Sequence, residues 1–284
     1  AMMSRGQAKG VFQFESGGMR QVLSQLKPES VEDLIAVISL YRPGPMDSIP
    51  RYIKNRHNPK GITYKHPMLK DILEVTYGCI VYQEQVMEIC RKMAGYSYGR
   101  ADLVRRAMSK KKADVMEKER NNFIYGAKKE DGSVECVGAV ANGVPAEIAN
   151  DIFDEMTSFA SYAFNKSHAT AYAVVAYQTA YLKNHYPKQY MAALLTSVLD
   201  NTDKVIGYIA ECEAMGIAIL PPDINKSKGY LTVEEEGLRF GLQAIKNTGK
   251  AFLEELVKER KANGNFTDFA DLCERMYGTD LNKR

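Results

Sequence analysis

A short polar stretch, Phe164–His168, carries the side chains in this sequence that are best suited to hold an anion. Apolar residues at spacings of three and four follow it and predict a helix over Ala169–Lys183, beginning near Ser167. Asn165 or Ser167 could cap that helix, and the remaining N–H groups, the helix dipole and the Lys166 ammonium would attract phosphate. Alternatively, the two polar residues only cap, the lysine is solvated and the histidine packs.

A second cationic segment extends from Arg100 to Arg120, with apolar residues at helical spacing that predict one amphipathic basic helix. Acidic residues in its second half favour an ordinary solvated face there. Arg105, Arg106 and the lysines at 110–112 are not explained in this way, since we expect no acidic neighbour close to them. Arginine presents a planar fork that matches phosphate oxygens, so these side chains are candidate phosphate ligands.

Composition and length describe an ordinary globular chain. Its 284 residues suffice for a well-buried core and more than one domain, and 45% apolar with 26% charged residues argues against disorder. A net charge of +3 is too small to indicate nucleic-acid binding without local clustering. The five cysteines are scattered without a CxxC spacing, which favours a reducing, cytoplasmic location, and neither a secretory signal nor a membrane-length apolar run is present.

Helical periodicity dominates up to Pro221-Pro222, where we place a domain boundary. The corner Arg42–Pro45 interrupts the helical periodicity, because each proline restricts the residue before it to extended geometry. This rigid corner would present Arg42 in a fixed direction. The polar stretch 128–143 is predicted to be an exposed loop or hairpin. The predicted helices are Gly18–Leu26, Val31–Leu40, Lys65–Glu74, Tyr82–Met93, the basic helix, Ala146–Phe159, Ala169–Lys183, Lys188–Leu199 and Asp203–Met215.

Beyond the prolines, two short alternating runs around residues 234–237 predict a β-hairpin. The stretch Leu242–Lys250 then leads into an amphipathic helix, so a short helix, a glycine hairpin and a second helix are expected. This arrangement would offer backbone N–H groups to nucleic-acid phosphates without reading bases. The fold class predicted from the whole pattern is mainly α, with a multi-helical domain followed by a small α+β unit that contains a β-hairpin and a helix-hairpin-helix.

Catalytic motifs are missing from the sequence. The stretch around Gly249 lacks the first glycine and the Ser or Thr of a P-loop, and no GxSxG, HExxH, EF-hand or Asp-x-Asp pattern occurs. The pairs Asp151 with Asp154 and Asp268 with Asp271 are better explained by solvation or capping than by metal binding. Phosphate ligands without a metal cage indicate a substrate-gripping part whose catalytic part lies elsewhere.

Several short motifs of this sequence, and the order in which they occur, resemble those of the C family of bacterial replicative DNA polymerases. This is the family of the DNA polymerase III alpha subunits. The resemblance extends over essentially the whole chain. Its carriers are Gly10–Ser16, Tyr41–Met46, Tyr77-Gly78, Val81–Met87, Arg105–Met108 with 110–112, Phe164–His168, Tyr177–Lys183, Leu220–Asn225, Gly241-Leu242 and Ala244–Lys246.

The resemblance implies a fragment that contains the tail of the palm (1–20), the helical fingers domain (21–220) and the start of the clamp-binding domain with its helix-hairpin-helix (221–284). Three groups of residues acquire roles by their motif positions. The triphosphate of the incoming deoxynucleotide would be held by Arg42, Arg105, Arg106, Lys110 and Lys166; Asn165, Ser167 and His168 would shape that pocket; Lys246, Asn247, Gly249 and Lys250 would contact the DNA backbone.

It also implies the chemistry of the whole protein, a DNA-directed DNA polymerase that uses template-primer DNA and deoxynucleoside triphosphates. Mg²⁺ would be held by palm carboxylates that precede the first residue here, so no catalytic residue and no metal site are expected in this fragment, which would be inactive alone. A sliding clamp and other replisome subunits would be partners of the full-length protein, and no membrane is expected.

Two other functions remain open at the level of the residues. One is a self-standing DNA-binding module that grips the backbone without a nucleotide site, which would bind with steep salt dependence and indifference to deoxynucleotide. The other is an all-helical scaffold with solvated cations, which would bind neither ligand.

Overall fold

Helices dominate the computed structural model, which describes residues 1–109, 113–160 and 163–279. Within these residues there are thirteen α-helices, several single 3-10 turns and five short strands, which confirms the mainly α fold class. The helices are α1 (Gly17–Leu26), α2 (Val31–Leu40), α3 (Ile49–His57), α4 (Lys70–Leu73), α5 (Gln83–Ala94), α6 (Tyr98–Ser109), α7 (Ala113–Tyr125), α8 (Ala146–Ala160), α9 (Lys166–His185), α10 (Pro187–Ser197), α11 (Thr202–Ala214), α12 (Lys250–Asn263) and α13 (Phe269–Arg275).

Most of the predicted helices are present with ends that differ by a few residues, but two predicted helices differ more and two observed helices were not predicted. The helix predicted over Lys65–Glu74 is α4 flanked by 3-10 turns at Pro67–Leu69 and Glu74–Thr76. Helices α3 and α13 were not predicted. Helix α3 buries only Ile49 and Tyr52, and its remaining positions are mostly polar, so its periodic apolar signal is weak.

The single basic helix predicted over Arg100–Arg120 is wrong. Arg100 on α6 forms an ion pair with Glu119 on α7 at 3.1 Å, although the two residues are 19 positions apart. One continuous helix would separate them by roughly 28 Å at about 1.5 Å per residue. The Tyr96 hydroxyl also donates to the Glu119 carboxylate at 3.1 Å, so the two segments fold back against each other. Lys110 to Lys112 lie outside the described residues.

Both predicted β-hairpin regions contain paired strands. Strands β1 (Ala127–Lys128) and β2 (Val134–Cys136) pair antiparallel. They lie in the predicted stretch 128–143, except that β1 begins one residue before it. Strands β4 (Thr232–Val233) and β5 (Leu238–Arg239) form the second hairpin, and β3 (Ile219–Leu220) adds to β5 in parallel. The order of this sheet is therefore β3-β5-β4.

The chain divides into two compact units. The first consists of residues 1–8 and 12–177, and the second of residues 9–11 and 178–284. The core of the first unit is formed where α5, α6, α7 and α8 meet, with fully buried side chains such as Met93, Phe123, Phe153 and Met156. This helical core includes α5, whose start contributes to the site described below.

The described residues of the second unit include two apolar clusters. One lies between α10, α11 and the three-stranded sheet, and the other packs α12 against the 3-10 turn Leu242–Ala244 and α13. A buried ion pair joins Lys183 to Glu211 at 2.6 Å, and the same ammonium donates to the Lys9 carbonyl at 2.8 Å. None of the helices that the structure describes combines the length and apolar character needed to cross a bilayer.

Candidate functional site

The start of α9 is built as the sequence predicts, and the structure chooses between the two candidate caps. The Asn165 side-chain oxygen accepts the His168 backbone N–H at 2.9 Å, so Asn165 is the N-cap and the helix begins at Lys166. Ser167 is in the first turn and is exposed. The first-turn N–H groups and the helix dipole therefore face the surface beside Asn165.

A carboxylate of the protein already lies at this helix start. Glu84, in the first turn of α5, accepts the Lys166 backbone N–H at 3.1 and 3.2 Å with its two oxygens. One of these oxygens also accepts the Asn165 side-chain amide at 3.1 Å. The helix N-terminus thus binds an oxyanion in this structure, as its dipole and N–H groups predict.

Backbone contacts fix the two helix starts against each other. The Gln83 N–H donates to the Phe164 carbonyl at 3.0 Å, and the Gln83 side-chain amide donates to the Ala163 carbonyl at 2.9 Å. Tyr82 and Phe164 form an isolated parallel bridge. This pairing holds Glu84 opposite the start of α9, although the two segments are far apart in the sequence.

The Lys166 side chain is also engaged by a carboxylate. Its ammonium lies 3.1 Å from Glu32 in the first turn of α2 and 5.3 Å from the ring centre of Tyr82. Burial raises the pKa of the Tyr82 hydroxyl, so that ring remains neutral beneath the cation. Lys166 is therefore a partly buried, paired cation at the site rather than a solvated one.

Arg42 is brought to the same place by stacking. Its guanidinium lies 4.2 Å from the ring centre of Phe164, within the range of a cation–π contact. Burial lowers the pKa of Arg42, although a guanidinium stays charged at any physiological pH. The corner at Pro43–Pro45 thus positions an arginine beside the start of α9.

His168 belongs to a column of rings that continues from Phe164. The ring centres of Phe164 and His168 are 5.3 Å apart, those of His168 and Tyr172 4.5 Å, and those of Tyr172 and Phe12 5.3 Å. These spacings are typical of interacting aromatic pairs. His168 therefore shapes one side of the helix start through its ring contacts.

Arg105 and Arg106 have an acidic neighbour, contrary to the sequence-based expectation. Asp102, one turn earlier on α6, pairs with Arg105 at 2.7 Å and with Arg106 at 2.7 Å. Hydrogen bonding to Arg105, with help from Arg106, lowers the pKa of the Asp102 carboxyl. The sequence contained a signal for this pair, because Asp102 precedes the two arginines by three and four positions, a spacing at which side chains on a helix meet. Lys110, the next predicted ligand on this segment, lies outside the described residues.

A cavity of about 430 Å³ opens beside Lys166 and Glu84. Helix α6 reaches it with Tyr98, the first residue of the helix. Arg105 and Arg106 are seven and eight residues further along, a rise of roughly 10 to 12 Å at about 1.5 Å per residue. Their convergence with Lys166 on one anion therefore stays a prediction. The remaining lining residues are Asp71, Ile72, Val75, Tyr82, Gln85, Met87, Glu88 and Lys92.

The predicted DNA-backbone residues lie together at a turn in the second unit. Lys246 and Asn247 are exposed, and Asn247 has a left-handed backbone with φ of 67°. Gly249 precedes α12 as its N-cap and has no side chain to cap it, so the first N–H groups of α12 face outward beside Lys250. The Thr248 hydroxyl donates to the Ile245 carbonyl at 2.6 Å and tightens the turn.

Two of the aspartates considered for metal binding, Asp154 and Asp268, have other roles. Asp268 caps α13 by accepting the Asp271 N–H at 2.9 Å, and Asp154 pairs with Arg120 at 2.5 Å. Among residues 1–109, 113–160 and 163–279, no group of three or more His, Cys, Asp or Glu side chains is arranged to hold a metal ion. These side chains do not fit a two-metal centre, which needs carboxylates in a rigid shell.

Sequence reasoning missed the two carboxylates that complete the site. Glu84 lies within the motif Val81–Met87, but nothing local in that motif indicates a role for it. Glu32 reads as an ordinary acidic residue in the first turn of a helix. Both acquire their role only because α2 and α5 start next to the start of α9.

Comparison with known proteins places this chain in a defined class. Residues 1–131 match the family model of the bacterial DNA polymerase III alpha subunit finger domain. Residues 216–284 match the model of a helix-hairpin-helix motif, which includes the turn before α12. The class is therefore a finger domain followed by a helix-hairpin-helix unit.

Relatives cover the whole chain, including the part between the two models. It is 46% identical over 283 residues to a DNA polymerase III subunit alpha of Borreliella burgdorferi, and 46% identical over 288 residues to that of Thermus aquaticus. It is 44% identical over 291 residues to the corresponding subunit of Escherichia coli. Each alignment covers 100% of this chain and 23 to 24% of the relative. The chain belongs to the DNA polymerase III alpha subunit family and spans about a quarter of the length of the curated relatives it matches.

Proposed function

We propose that this chain is the part of a replicative DNA-directed DNA polymerase that grips the triphosphate of the incoming deoxynucleotide and the backbone of the template-primer. The observation that supports this most is the start of α9, where an oxyanion is already held by a backbone N–H and the Asn165 amide. A phosphate oxygen presents the same acceptor chemistry with more charge.

In the proposed mechanism, the phosphate tail replaces Glu84 at the helix start. The Lys166 N–H and the Asn165 amide then donate to phosphate oxygens, and the Lys166 ammonium turns from Glu32 towards the same anion. Arg42 holds the Phe164 ring and with it the position of the helix start. Because the transition state of phosphoryl transfer spreads negative charge over its oxygens, fixed cations contribute positioning and electrostatic stabilisation.

Arg105 and Arg106 would join this grip after releasing Asp102, and Lys110 would extend it. Ser167 and His168 would border the bound phosphates. For Lys166, Arg105 and Arg106 the exchange replaces a protein carboxylate by phosphate, so these three cations keep a counter-charge.

The second unit contributes a separate contact. Lys246, Asn247, Gly249 and Lys250 would bind backbone phosphates through two ammonium groups and the outward N–H groups of α12. Such contacts carry no sequence information, which suits an enzyme that must copy any template.

The catalytic carboxylates belong to the remaining three quarters of the protein. Mg²⁺, the ion expected for nucleotidyl transfer, would supply charge neutralisation there, since the described residues of this chain offer no metal cage. The sliding clamp and other replisome subunits would be partners of the full-length, cytoplasmic enzyme. We expect the isolated chain to incorporate no nucleotide, and any incorporation by it would contradict the assignment.

The nucleotide grip is tested in the full-length polymerase with Lys166→Gln, which removes the charge and keeps most of the side chain. Loss of one charge-assisted contact is expected to raise the KM for deoxynucleotide about tenfold, equal to about 1.4 kcal/mol. Lys118→Gln, an exposed lysine on α7, is the control and should leave KM unchanged. An unchanged KM in Lys166→Gln would remove Lys166 from the site. Arg105→Ala and Arg106→Ala in the same assay test the two α6 cations.

The competing DNA-module hypothesis is favoured by one observation, the exposed turn at Asn247 and Gly249. It is separated from the polymerase proposal by the nucleotide dependence of binding. A self-standing module would bind DNA with steep salt dependence and would be indifferent to added deoxynucleotide. A polymerase fragment with the proposed nucleotide site would bind both DNA and deoxynucleotide.

A further inference from the structure

A basic stretch of the first unit has no role in the proposed nucleotide site. Residues 48–70 contain six Lys or Arg side chains and no Asp or Glu, although the whole chain is nearly balanced at 38 basic and 35 acidic residues. The stretch forms α3, the 3-10 turn Pro59–Gly61 and the residues up to the start of α4. The cations are Arg51, Lys54, Arg56, Lys60, Lys65 and Lys70.

One of these cations anchors the stretch to the core. Arg56 donates to both oxygens of the buried Asp33 at 3.1 and 3.2 Å and pairs with Glu29 at 3.1 Å. Ile49 and Tyr52 are buried on the same helix. Helix α3 is therefore held rigidly, so the cations on its other face have defined positions.

Two further cations share one carboxylate. Arg51 and Lys65 both bind Glu155, at 3.1 and 3.0 Å. Arg51 also donates to the Gly78 carbonyl at 3.1 Å and still exposes 53% of its side chain. The cluster of three side chains retains a net positive charge that a phosphate could neutralise.

Lys54 and Lys60 complete the basic surface. Both are exposed, and no ion pair among residues 1–109, 113–160 and 163–279 involves either of them. A recess of about 440 Å³ lies beside Lys54, and its lining contains no carboxylate. The lining consists of Pro50, Arg51, Lys54, Asn55, Gly61 and Thr63.

We propose that this basic surface, formed by Arg51 and Lys54 at the recess and by Lys60 next to its lining residue Gly61, binds the sugar–phosphate backbone of single-stranded DNA. Arg51 and Lys54 are one helical turn apart, and on adjacent turns Cβ atoms are about 5 to 6 Å apart, a spacing that suits successive phosphates of one strand. A recess with cationic walls resembles the grooves in which single strands are held. The inference rests on the proposed function in taking DNA as the ligand, but it assigns a second contact in a different unit from the helix-hairpin-helix.

The test measures binding of a fluorescently labelled single-stranded oligonucleotide to the chain by anisotropy at several salt concentrations. The variant is Lys54→Gln with Lys60→Gln. Log K falls as log salt rises, and each lost phosphate contact on a single strand makes this negative slope shallower by about 0.7. The slope of the double variant is therefore expected to be shallower by about 1.4. Affinity at low salt should fall several-fold on every sequence, because phosphate contacts do not read bases.

A matched variant controls for charge alone. Lys128→Gln with Lys129→Gln also removes two exposed lysines from the first unit, but these lie at the β1–β2 hairpin close to Glu130 and Asp131. It should leave both affinity and slope close to those of the unchanged chain. Circular dichroism should show the same melting curve for all three proteins, because every substituted side chain is exposed.

The outcomes separate this inference from the proposed function. Three results would each overturn the proposed role of the basic surface. They are equal slopes for the two double variants, a loss of affinity confined to duplex DNA, and a chain that binds no single strand. None of these results would affect the KM of Lys166→Gln in the full-length polymerase. Conversely, in that enzyme Lys54→Gln with Lys60→Gln should weaken template binding and leave the KM for deoxynucleotide unchanged.

Discussion

The Glu84 carboxylate is an internal ligand of the start of α9. It accepts one backbone N–H and one amide, the same donors that the proposed nucleotide site would offer to phosphate. Glu32 likewise pairs with the Lys166 ammonium, the cation that the proposed site would also offer to phosphate. Carboxylates at these positions keep the positive groups oriented before a ligand arrives, and they also compete with that ligand.

This competition is testable at Glu84. Glu84→Gln keeps the size of the side chain and removes its charge, so the chain should bind inorganic triphosphate more tightly. The donors at this exposed helix start are worth about 1 kcal/mol to the carboxylate, so we expect about fivefold tighter binding in isothermal titration calorimetry.

A second carboxylate on α5 provides the control. Glu88 lines the same cavity one turn further along the helix, where it pairs with Arg91 at 2.7 Å. Glu88→Gln should change the affinity for triphosphate less than Glu84→Gln, since it contacts none of the α9 donors. Equal effects of the two substitutions would show that general charge, and not competition at the helix start, determines the affinity.

At the scale of elements, α9 depends on its N-cap. Asn165→Ala removes the acceptor of the His168 N–H and the donor to Glu84, and should lower the free energy of unfolding by about 1 kcal/mol. Ser167→Ala, two residues away and inside the first turn, should change it by less than about 0.5 kcal/mol. Urea unfolding followed by circular dichroism measures both. A larger effect of Ser167→Ala would mean that the cap is assigned to the wrong residue.

The antiparallel packing of α6 and α7 has a different origin. Both helices bury one apolar stripe in the core of the first unit, and Glu119 in the middle of α7 contacts Arg100 in the first turn of α6 and Tyr96 just before that helix. A continuous helix would leave half of this stripe in solvent. Burial of the second half therefore favours two short helices over the long one that periodicity alone predicts.

At the scale of the molecule, the two units are not simply consecutive along the chain. Residues 9–11 belong to the second unit although residues on both sides of them belong to the first. In the second unit this segment is held by Lys183, which donates to the Lys9 carbonyl, and by Tyr190, whose hydroxyl donates to the Gly10 carbonyl at 2.6 Å.

Lys183 should therefore be important for the stability of the second unit. Lys183→Met leaves Glu211 and the Lys9 carbonyl without their donor, and removing one partner of a buried ion pair costs about 3 kcal/mol or more. Hydrogen exchange should show the loss as faster exchange in α10 and α11. Lys204→Met, at an exposed position of α11, should have little effect. Unchanged protection in Lys183→Met would mean that apolar packing alone holds the segment.

By itself, the sequence determined the mainly helical class, the start of α9, the strand hairpin around residues 234–237 and the family, because each depends on residues close together along the chain or on their order. The long basic helix was wrong, and α3 with its cationic surface was missed. Only the tertiary structure decided that Glu84, 82 positions before Lys166, meets the start of α9, and that Glu32 on α2 pairs with the Lys166 ammonium. Periodicity reports which face of a helix is buried, whereas the partner of a charged group depends on how distant helices pack against each other.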